Sequence, residues 1–150
     1  MIKGYIEGYY GRLFSQDERA KVIDHMGRLK MDFYLYGPKE DLYHRVQWQK
    51  AYPFKEQKTL RHLVSQCKKN KIRPIFAISP GLQSSKTSNN YKKNLITKIK
   101  QAQKIGFKEF AIFFDDIEHK QNEDLARTHL KIINSVFIPI VSKISRVFDF

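Results

Sequence analysis

The stretch Ala111-Ile112-Phe113-Phe114-Asp115-Asp116-Ile117 joins an apolar run to two adjacent acidic residues. A strand buried on both faces of a parallel sheet reads as a continuous hydrophobic run, and residues 110–114 are such a run. Acidic residues at the C-terminal end of that strand lie where α/β folds place their chemistry. Adjacent carboxylates repel each other, which favours keeping one of them protonated as a proton donor. The pair also suits a solvated turn or a helix N-cap, so a catalytic and a structural role both stay open.

Composition and charge limit the class of protein. The 150 residues, 41% of them hydrophobic, suit one domain with a real core. Lys plus Arg number 28 against 15 Asp plus Glu, a net charge of +13 that attracts polyanions non-specifically. The lysines are spread along the chain and no nucleic-acid-binding motif is recognisable. We therefore expect no nucleic-acid partner beyond this charge attraction, and no membrane partner, because no apolar run could span a bilayer.

The expected location is the cytoplasm. Structure-like sequence begins at Ile2, which leaves no room for a secretory signal before it. The single cysteine, Cys67, excludes an intrachain disulfide framework and is compatible with a reducing compartment. Export by a route without a signal peptide stays open.

Strands and helices alternate along the chain, which predicts a parallel sheet with right-handed crossovers. Two architectures fit this order: an open doubly wound sheet or part of a (β/α)8 barrel. Neither a dinucleotide-binding loop nor a Walker loop follows the first strand. The predicted strands are 4–7, 33–36, 74–78 and 107–114, and the predicted helices are 15–30, 55–70, 90–105 and a fourth from 122 or 123. Along this fourth helix, Pro139 is expected to break or kink the chain, and Leu125, Leu130, Ile133 and Phe137 are expected to face inward.

Four sequence blocks at the predicted strand ends carry a resemblance to a known family. They are residues 6–12, residues 36–41 with Tyr43-His44-Arg45 and Trp48, residues 77–82, and residues 113–117. In order and spacing they resemble the N-terminal half of the catalytic domain of glycoside hydrolase family 84, the O-GlcNAcases and bacterial β-N-acetylglucosaminidases often called hyaluronidases. The resemblance implies an α/β fold, the N-terminal half of a (β/α)8 TIM barrel with about four βα units. We treat residues 1–150 as one partial catalytic barrel, family-like to about residue 137, with 138–150 as an unassigned tail.

The resemblance also implies an activity and the residues that perform it. The family cleaves terminal β-linked N-acetylglucosamine with retention, and the substrate's own acetamido oxygen forms an oxazoline intermediate. By position, Asp115 resembles the acid that orients the acetamido group, and Asp116 resembles the general acid that then acts as base. Gly8 resembles a glycine whose backbone contacts the sugar hydroxyls, and Lys39 resembles a lysine that hydrogen-bonds these hydroxyls. Neither a metal nor another cofactor is implied.

The same resemblance names the partners and leaves alternatives open. The implied substrate is a GlcNAc-containing glycan or an O-GlcNAc-modified protein. A full barrel needs about 250 residues, so half a barrel leaves two sheet edges open and an inner face uncovered. The chain is then an inactive remnant, one half of a split enzyme, or a chain whose barrel a second chain completes. A role limited to sugar binding or to polyanion interaction is the alternative to hydrolysis.

Overall fold

The sheet distinguishes between the two expected architectures. A computed structural model describes residues 1–80, 89–114 and 123–142. Its four parallel strands pair in chain order, and they are β1 (Gly4–Glu7), β2 (Phe33–Tyr36), β3 (Arg73–Ile78) and β4 (Glu109–Ile112). A doubly wound sheet reverses its strand order at a switch point, whereas successive strands of a barrel do not. The order β1-β2-β3-β4 is therefore that of a barrel segment.

Helices follow the strands close to the predicted positions: α1 (Gln16–Arg28), α2 (Phe54–Lys69), α3 (Asn89–Ile105) and α4 (Glu123–Ile132). The first begins at a capping box in which Ser15 Oγ accepts from the Glu18 N–H at 3.2 Å and Glu18 Oε2 accepts from the Ser15 N–H at 2.8 Å. The third ends at Gly106, whose φ of 125° favours glycine. No helix within the described ranges has the length and apolarity needed to cross a bilayer.

The main core lies between the sheet and the helices, and a smaller one lies on the opposite, inner face of the sheet. Alternation along β2 and β3 sends Tyr34, Tyr36 and Phe76 toward the helices and Leu35, Ile75 and Ala77 inward. The inner face was expected to be exposed. It is exposed at Ile6 of the edge strand (54%), but Leu35, Ile75 and Ala77 on the same face are buried. Phe33, Ala111 and Phe113 pack against them and account for part of this burial.

The last helical segment differs from its prediction. After α4 the chain forms a π-helical turn (Ile133–Phe137) and then α5 (Ile138–Val141). Pro139 has no N–H to donate, and its ring crowds the carbonyl four residues back, so a wider turn before it relieves the clash without breaking the helix. Leu130, predicted to face inward, is 56% exposed. The buried residues are Ile132, Val136, Phe137 and Val141, because the wide turn shifts the helical period.

Candidate active site at the carboxyl edge of the sheet

The C-terminal ends of the strands meet at one edge of the sheet, which we call the carboxyl edge. Glu7 at the end of β1 is in register with Tyr36 at the end of β2. Backbone pairing continues one residue further, because the N–H of Gly37 donates to the carbonyl of Glu7 at 3.0 Å. Likewise the N–H of Phe113 donates to the carbonyl of Ile78 at 2.9 Å. The chain that follows β1, β2 and β4 therefore emerges on the same side of the sheet.

Two of the four predicted site residues are described at this edge. Gly8 directly follows β1, and a Cβ on it would lie 3.1 Å from Ile6 Cγ2, so glycine relieves a tight contact there. Lys39 is 7% exposed, and its backbone N–H donates to the carbonyl of Tyr9 at 3.4 Å. The structure thus brings the ends of β1 and β2 together. Asp115 and Asp116 lie outside the described residues.

Phe113, two residues before the predicted acids, joins the ends of β2 and β4. The ammonium of Lys39 lies 5.9 Å from the centroid of the Phe113 ring, and the imidazole of His44 meets that ring edge-on at 6.2 Å. A Cβ on Gly37 would lie 2.8 Å from Phe113 Cε2 and 3.0 Å from the Cβ of Ala77. Glycine at position 37 therefore leaves the space that the Phe113 ring occupies.

The carboxylate of Asp41 fixes the start of the long connection between β2 and α2, residues 37–53. It accepts hydrogen bonds from the hydroxyls of Tyr36 at 2.6 Å and Tyr52 at 2.8 Å. It also accepts from the backbone N–H groups of Tyr43 at 2.8 Å and His44 at 3.2 Å. Burial, and then the charge of Asp41, raise the pKa of both tyrosines, so their hydroxyls stay protonated and keep donating.

A buried lysine on α3 donates hydrogen bonds to the same connection between β2 and α2. Lys98 is 2% exposed, and its ammonium donates to the carbonyls of Tyr43, at 2.9 Å, and Lys50. It also lies 4.3 Å from the centroid of the Tyr52 ring. Burial lowers the pKa of Lys98 to about 8, although the charge of Asp41 opposes this shift. Sequence reasoning missed Lys98, and the one available signal was its place on the apolar stripe of Leu95, Ile99 and Ala102.

His44 ties this connection to the end of β3. Its Nδ1 lies 2.8 Å from the carbonyl oxygen of Ala77. Burial lowers the pKa of His44 to about 4, so the ring is neutral at pH 7. A carbonyl only accepts, which assigns the proton to Nδ1 and leaves Nε2 to accept from the hydroxyl of Ser79 at 3.3 Å. Within the ranges that the structure covers, no cluster of three or more His, Cys, Asp or Glu side chains could hold a metal ion.

Glu7, at the end of β1, takes part in a buried ion pair with Arg19 on α1. Its carboxylate accepts from Arg19 Nε at 3.0 Å and Nη2 at 2.8 Å and from the hydroxyl of Tyr34 at 2.5 Å, and Glu7 and Arg19 are both buried. Burial lowers the pKa of the Arg19 guanidinium, but the hydrogen bonds to Glu7 and the electrostatic interactions with Tyr36, Glu7 and Tyr34 together outweigh it and raise that pKa. Arg12, in the turn after β1, pairs with Glu18 on α1. Glu7 therefore anchors α1 to β1.

The aromatic residues Tyr9, Tyr10 and Trp48, which lie in the connections after β1 and β2, divide into buried and exposed groups. Trp48 is 1% exposed and packs edge-on against Tyr91 at 5.1 Å between ring centroids, so it belongs to the core. Tyr9 and Tyr10 are exposed by 37% and 59%. The guanidinium of Arg45 lies 5.6 Å from the centroid of the Tyr10 ring, which links the β1–α1 turn to the β2–α2 connection.

A cavity of about 680 Å³ lies on the helix side of the sheet, between α1, α2 and the β2–α2 connection. Phe14, Tyr43 and Tyr52 line it, as do the carboxylates of Asp41 and Glu56. Neither Gly8 nor Lys39 lines this cavity. The cavity therefore lies apart from Gly8 and Lys39, the two predicted site residues that the structure describes.

Comparison with known proteins gives a consistent family assignment. Residues 3–150 match the family model described as beta-N-acetylglucosaminidase. Over 116 residues the chain is 34% identical to Protein O-GlcNAcase of Rattus norvegicus and of Mus musculus, an alignment that covers 77% of this chain and 13% of each relative. It superposes on a mutant of the O-GlcNAc hydrolase of Thermobaculum terrenum with a TM-score of 0.87 at 31% identity, covering 96% of this chain and 33% of that one. The chain thus spans a small part of the relatives that it matches.

Proposed function

Because this chain belongs to the β-N-acetylglucosaminidase family, glycoside hydrolase family 84, we propose that it supplies the catalytic half of a retaining β-N-acetylglucosaminidase. The proposed substrate is a terminal β-linked N-acetylglucosamine on a protein or a glycan. One observation carries the proposal: Gly8 and Lys39 both lie at the carboxyl edge, where the Lys39 N–H bonds to the carbonyl of Tyr9, and in the sequence Asp115 and Asp116 come three and four residues after the end of β4. The carboxyl ends of barrel strands are where such enzymes place their reacting groups.

Asp116 is the proposed proton donor in the first step. Its carboxylic acid gives its proton to the glycosidic oxygen as the bond from that oxygen to the anomeric carbon breaks. The oxygen of the 2-acetamido group attacks the anomeric carbon from the opposite face, and a five-membered oxazoline forms. Asp115, as a carboxylate, orients the acetamido N–H and stabilises the positive charge that develops on it.

The second step returns the site to its starting state. Asp116, now a carboxylate, takes a proton from a water molecule as the water oxygen attacks the anomeric carbon. The carbon–oxygen bond of the oxazoline breaks, the acetamido group reforms, and the configuration at the anomeric carbon is retained. The two acids therefore need opposite protonation states in the resting site, which repulsion between adjacent carboxylates favours.

Lys39 and Gly8 are the proposed binding residues for the sugar. The ammonium of Lys39 sits over the Phe113 ring at 5.9 Å, and this contact restrains a flexible side chain so that it can donate to sugar hydroxyls. Gly8 has no side chain, so a sugar ring can approach the backbone after β1. The remaining strands of the barrel, with their sugar contacts, come from further polypeptide or from a second chain.

A chimera tests this proposal. Residues 3–142 replace the matching segment of the Thermobaculum terrenum O-GlcNAc hydrolase, whose own later strands then complete the barrel. We expect release of aryl alcohol from aryl N-acetyl-β-glucosaminides, and a fall in kcat of at least ~100-fold in the Asp116→Asn variant. This fall should be smaller for an aryl glycoside with a dinitrophenyl leaving group, which needs little protonation. The Asp115→Asn variant should slow hydrolysis of this glycoside and of the other aryl glycosides equally.

The control is Asp17→Asn, the same change at an exposed carboxylate on the first turn of α1. A folded chimera with no turnover would overturn the proposal, as would Asp116→Asn behaving like Asp17→Asn. If the chimera does not fold, binding of an oxazoline mimic to the purified chain takes its place. Binding that Lys39→Ala weakens at least tenfold supports the proposal, and binding that Lys39→Ala leaves unchanged contradicts it.

A further inference from the structure

Three turns on the face opposite the carboxyl edge carry a dense set of cations. These are the αβ turns that connect each helix to the next strand, residues 28–32, 68–73 and 104–109, which we call the basic face. They contain eight cationic side chains against two acidic ones, a net +6 within a chain of +13. The cations are Arg28, Lys30, Lys68, Lys69, Lys71, Arg73, Lys104 and Lys108, and the acids are Asp32 and Glu109.

The described connections at the carboxyl edge show no such excess. Residues 8–18 and 37–56, which follow β1 and β2, contain five cationic and five acidic side chains. Positive charge is therefore concentrated on one face, although the lysines are spread evenly along the sequence. This concentration arises because successive αβ turns, far apart in the chain, lie side by side in the sheet.

Helix capping explains only part of the basic face. Cations stabilise the C-terminal ends of helices, each of which carries roughly half a negative charge. Three helix ends offset about 1.5 of the +6, and about +4.5 remains. Pairing within the face is also limited, with Arg73 at 2.9 Å from Glu109 and Asp32 accepting a backbone N–H at 2.7 Å. All six lysines of the face are exposed.

Two lysines of the basic face adopt backbone conformations that glycine adopts more easily. Lys30 has φ of 52° and Lys71 has φ of 60°, and they occupy equivalent places after α1 and α2. The left-handed region costs a side-chain-bearing residue about 1–2 kcal/mol, and Gly106 fills the equivalent place after α3 without that cost. Between the second and third turns, Lys68, Lys71, Arg73 and Lys108 line a cleft of about 290 Å³.

The shape of the basic face indicates its partner. Packed neighbouring helices are typically about 8–10 Å apart, so a row of three turns is roughly 20 Å long, which suits a linear polyanion. The three turns contain one aromatic residue, Phe107, which is buried, so no base can stack there. We propose that the basic face binds the phosphodiester backbone of duplex nucleic acid without reading its sequence. The carboxyl edge stays open while the opposite face is occupied.

Salt-dependent binding of the purified chain to a fluorescein-labelled 20-base-pair duplex tests this proposal. The triple variant Lys68→Gln, Lys69→Gln and Lys71→Gln removes three cations from the basic face. Each phosphate contact contributes about 0.9 to the slope of log affinity against log salt, so the slope should fall by about 2.7. Binding at 0.1 M salt should weaken at least tenfold. Fluorescence anisotropy at four salt concentrations measures both quantities.

The matched control removes the same charge elsewhere: Lys58→Gln, Lys92→Gln and Lys93→Gln, at exposed positions on the helices. Its slope should stay within 1 of the parent's, and circular dichroism should show that both variants are folded. If the two variants lost equal affinity and equal salt slope, net charge alone would explain the binding and the proposal would be overturned. It is also overturned if the chain binds heparin or anionic phosphatidylserine vesicles but not the duplex at 0.1 M salt.

Discussion

Lys98 should make the chain more stable in alkali, and Lys98→Met should remove that effect. Lys98 is buried, its ammonium donates to two carbonyls, and burial lowers its pKa from 10.5 to about 8. Between these two values the unfolded chain holds a proton on this group that the folded chain has released. The free energy of unfolding therefore rises with pH across this window.

The size of the rise follows from the two pKa values. One pKa unit is worth about 1.4 kcal/mol, so a window of 2.5 units limits the gain to about 3 kcal/mol. From pH 7 to pH 9.5 the group should contribute about 2 kcal/mol. Methionine has a straight side chain of similar length but no proton to release. Its loss of the two hydrogen bonds adds an offset of about 1–3 kcal/mol that does not depend on pH.

Urea denaturation at pH 7.0, 8.0, 9.0 and 9.5 measures this contribution. Other groups titrate in the same range, so the relevant quantity is the free energy of unfolding of the parent chain minus that of Lys98→Met at each pH. This difference should grow by about 2 kcal/mol over the series. Lys100→Met, at an exposed position on the same helix, is the matched control and should follow the parent chain.

A difference that stays constant from pH 7.0 to 9.5 would refute the reasoning. It would mean that the ammonium of Lys98 keeps its ordinary pKa in the folded chain, and hence that solvent reaches it. A difference that shrinks with pH would contradict the direction of the shift itself.

Three further predictions concern other contacts. Glu7→Gln should lower the free energy of unfolding by about 3–5 kcal/mol in urea, because it leaves the guanidinium of Arg19 buried without its counter-charge; a loss under about 1 kcal/mol would contradict the pairing. Gly37→Ala should cost about 1–3 kcal/mol by overpacking against Phe113, and Phe113→Leu in the same chain should recover at least half of it in a double-mutant cycle. Burial raises the pKa of Cys67 to about 12, so Ellman's reagent should not modify the native chain at pH 8 but should modify it fully in urea; rapid native modification would argue against the burial.

Local sequence signals predicted the elements of this fold well. The helix predicted at residues 15–30 begins where Ser15 and Glu18, four residues of sequence, satisfy each other's hydrogen bonds, so its start depends on local sequence. The alternation of strands and helices predicted the parallel sheet but left a doubly wound sheet and a barrel segment both open. The family resemblance favoured the barrel segment, and the strand order β1-β2-β3-β4 confirms it. Leu130 was placed wrongly because a regular period of 3.6 residues was assumed for a segment that contains a π-helical turn.

The support of the candidate site could not be predicted in the same way. Lys98 reaches the carbonyl of Tyr43 across 55 residues, and no local pattern links the two positions. Asp41 belongs to the block of residues 36–41 that carries the resemblance, but only the folded chain identifies its tyrosine partners. The roles of Asp115 and Asp116 rest on the family resemblance, as they did for the sequence alone.

The π-helical turn of residues 133–137 has a consequence for changes in chain length. Such a turn absorbs one extra residue without rotating the helix on either side of it. Deleting Asn134, which is exposed, should therefore restore a regular α-helix and leave Ile132 and Val141 buried as before. Deleting Thr97 in the regular helix α3 should instead rotate the rest of that helix by about 100°. A one-residue deletion is thus tolerated at the first place and disruptive at the second.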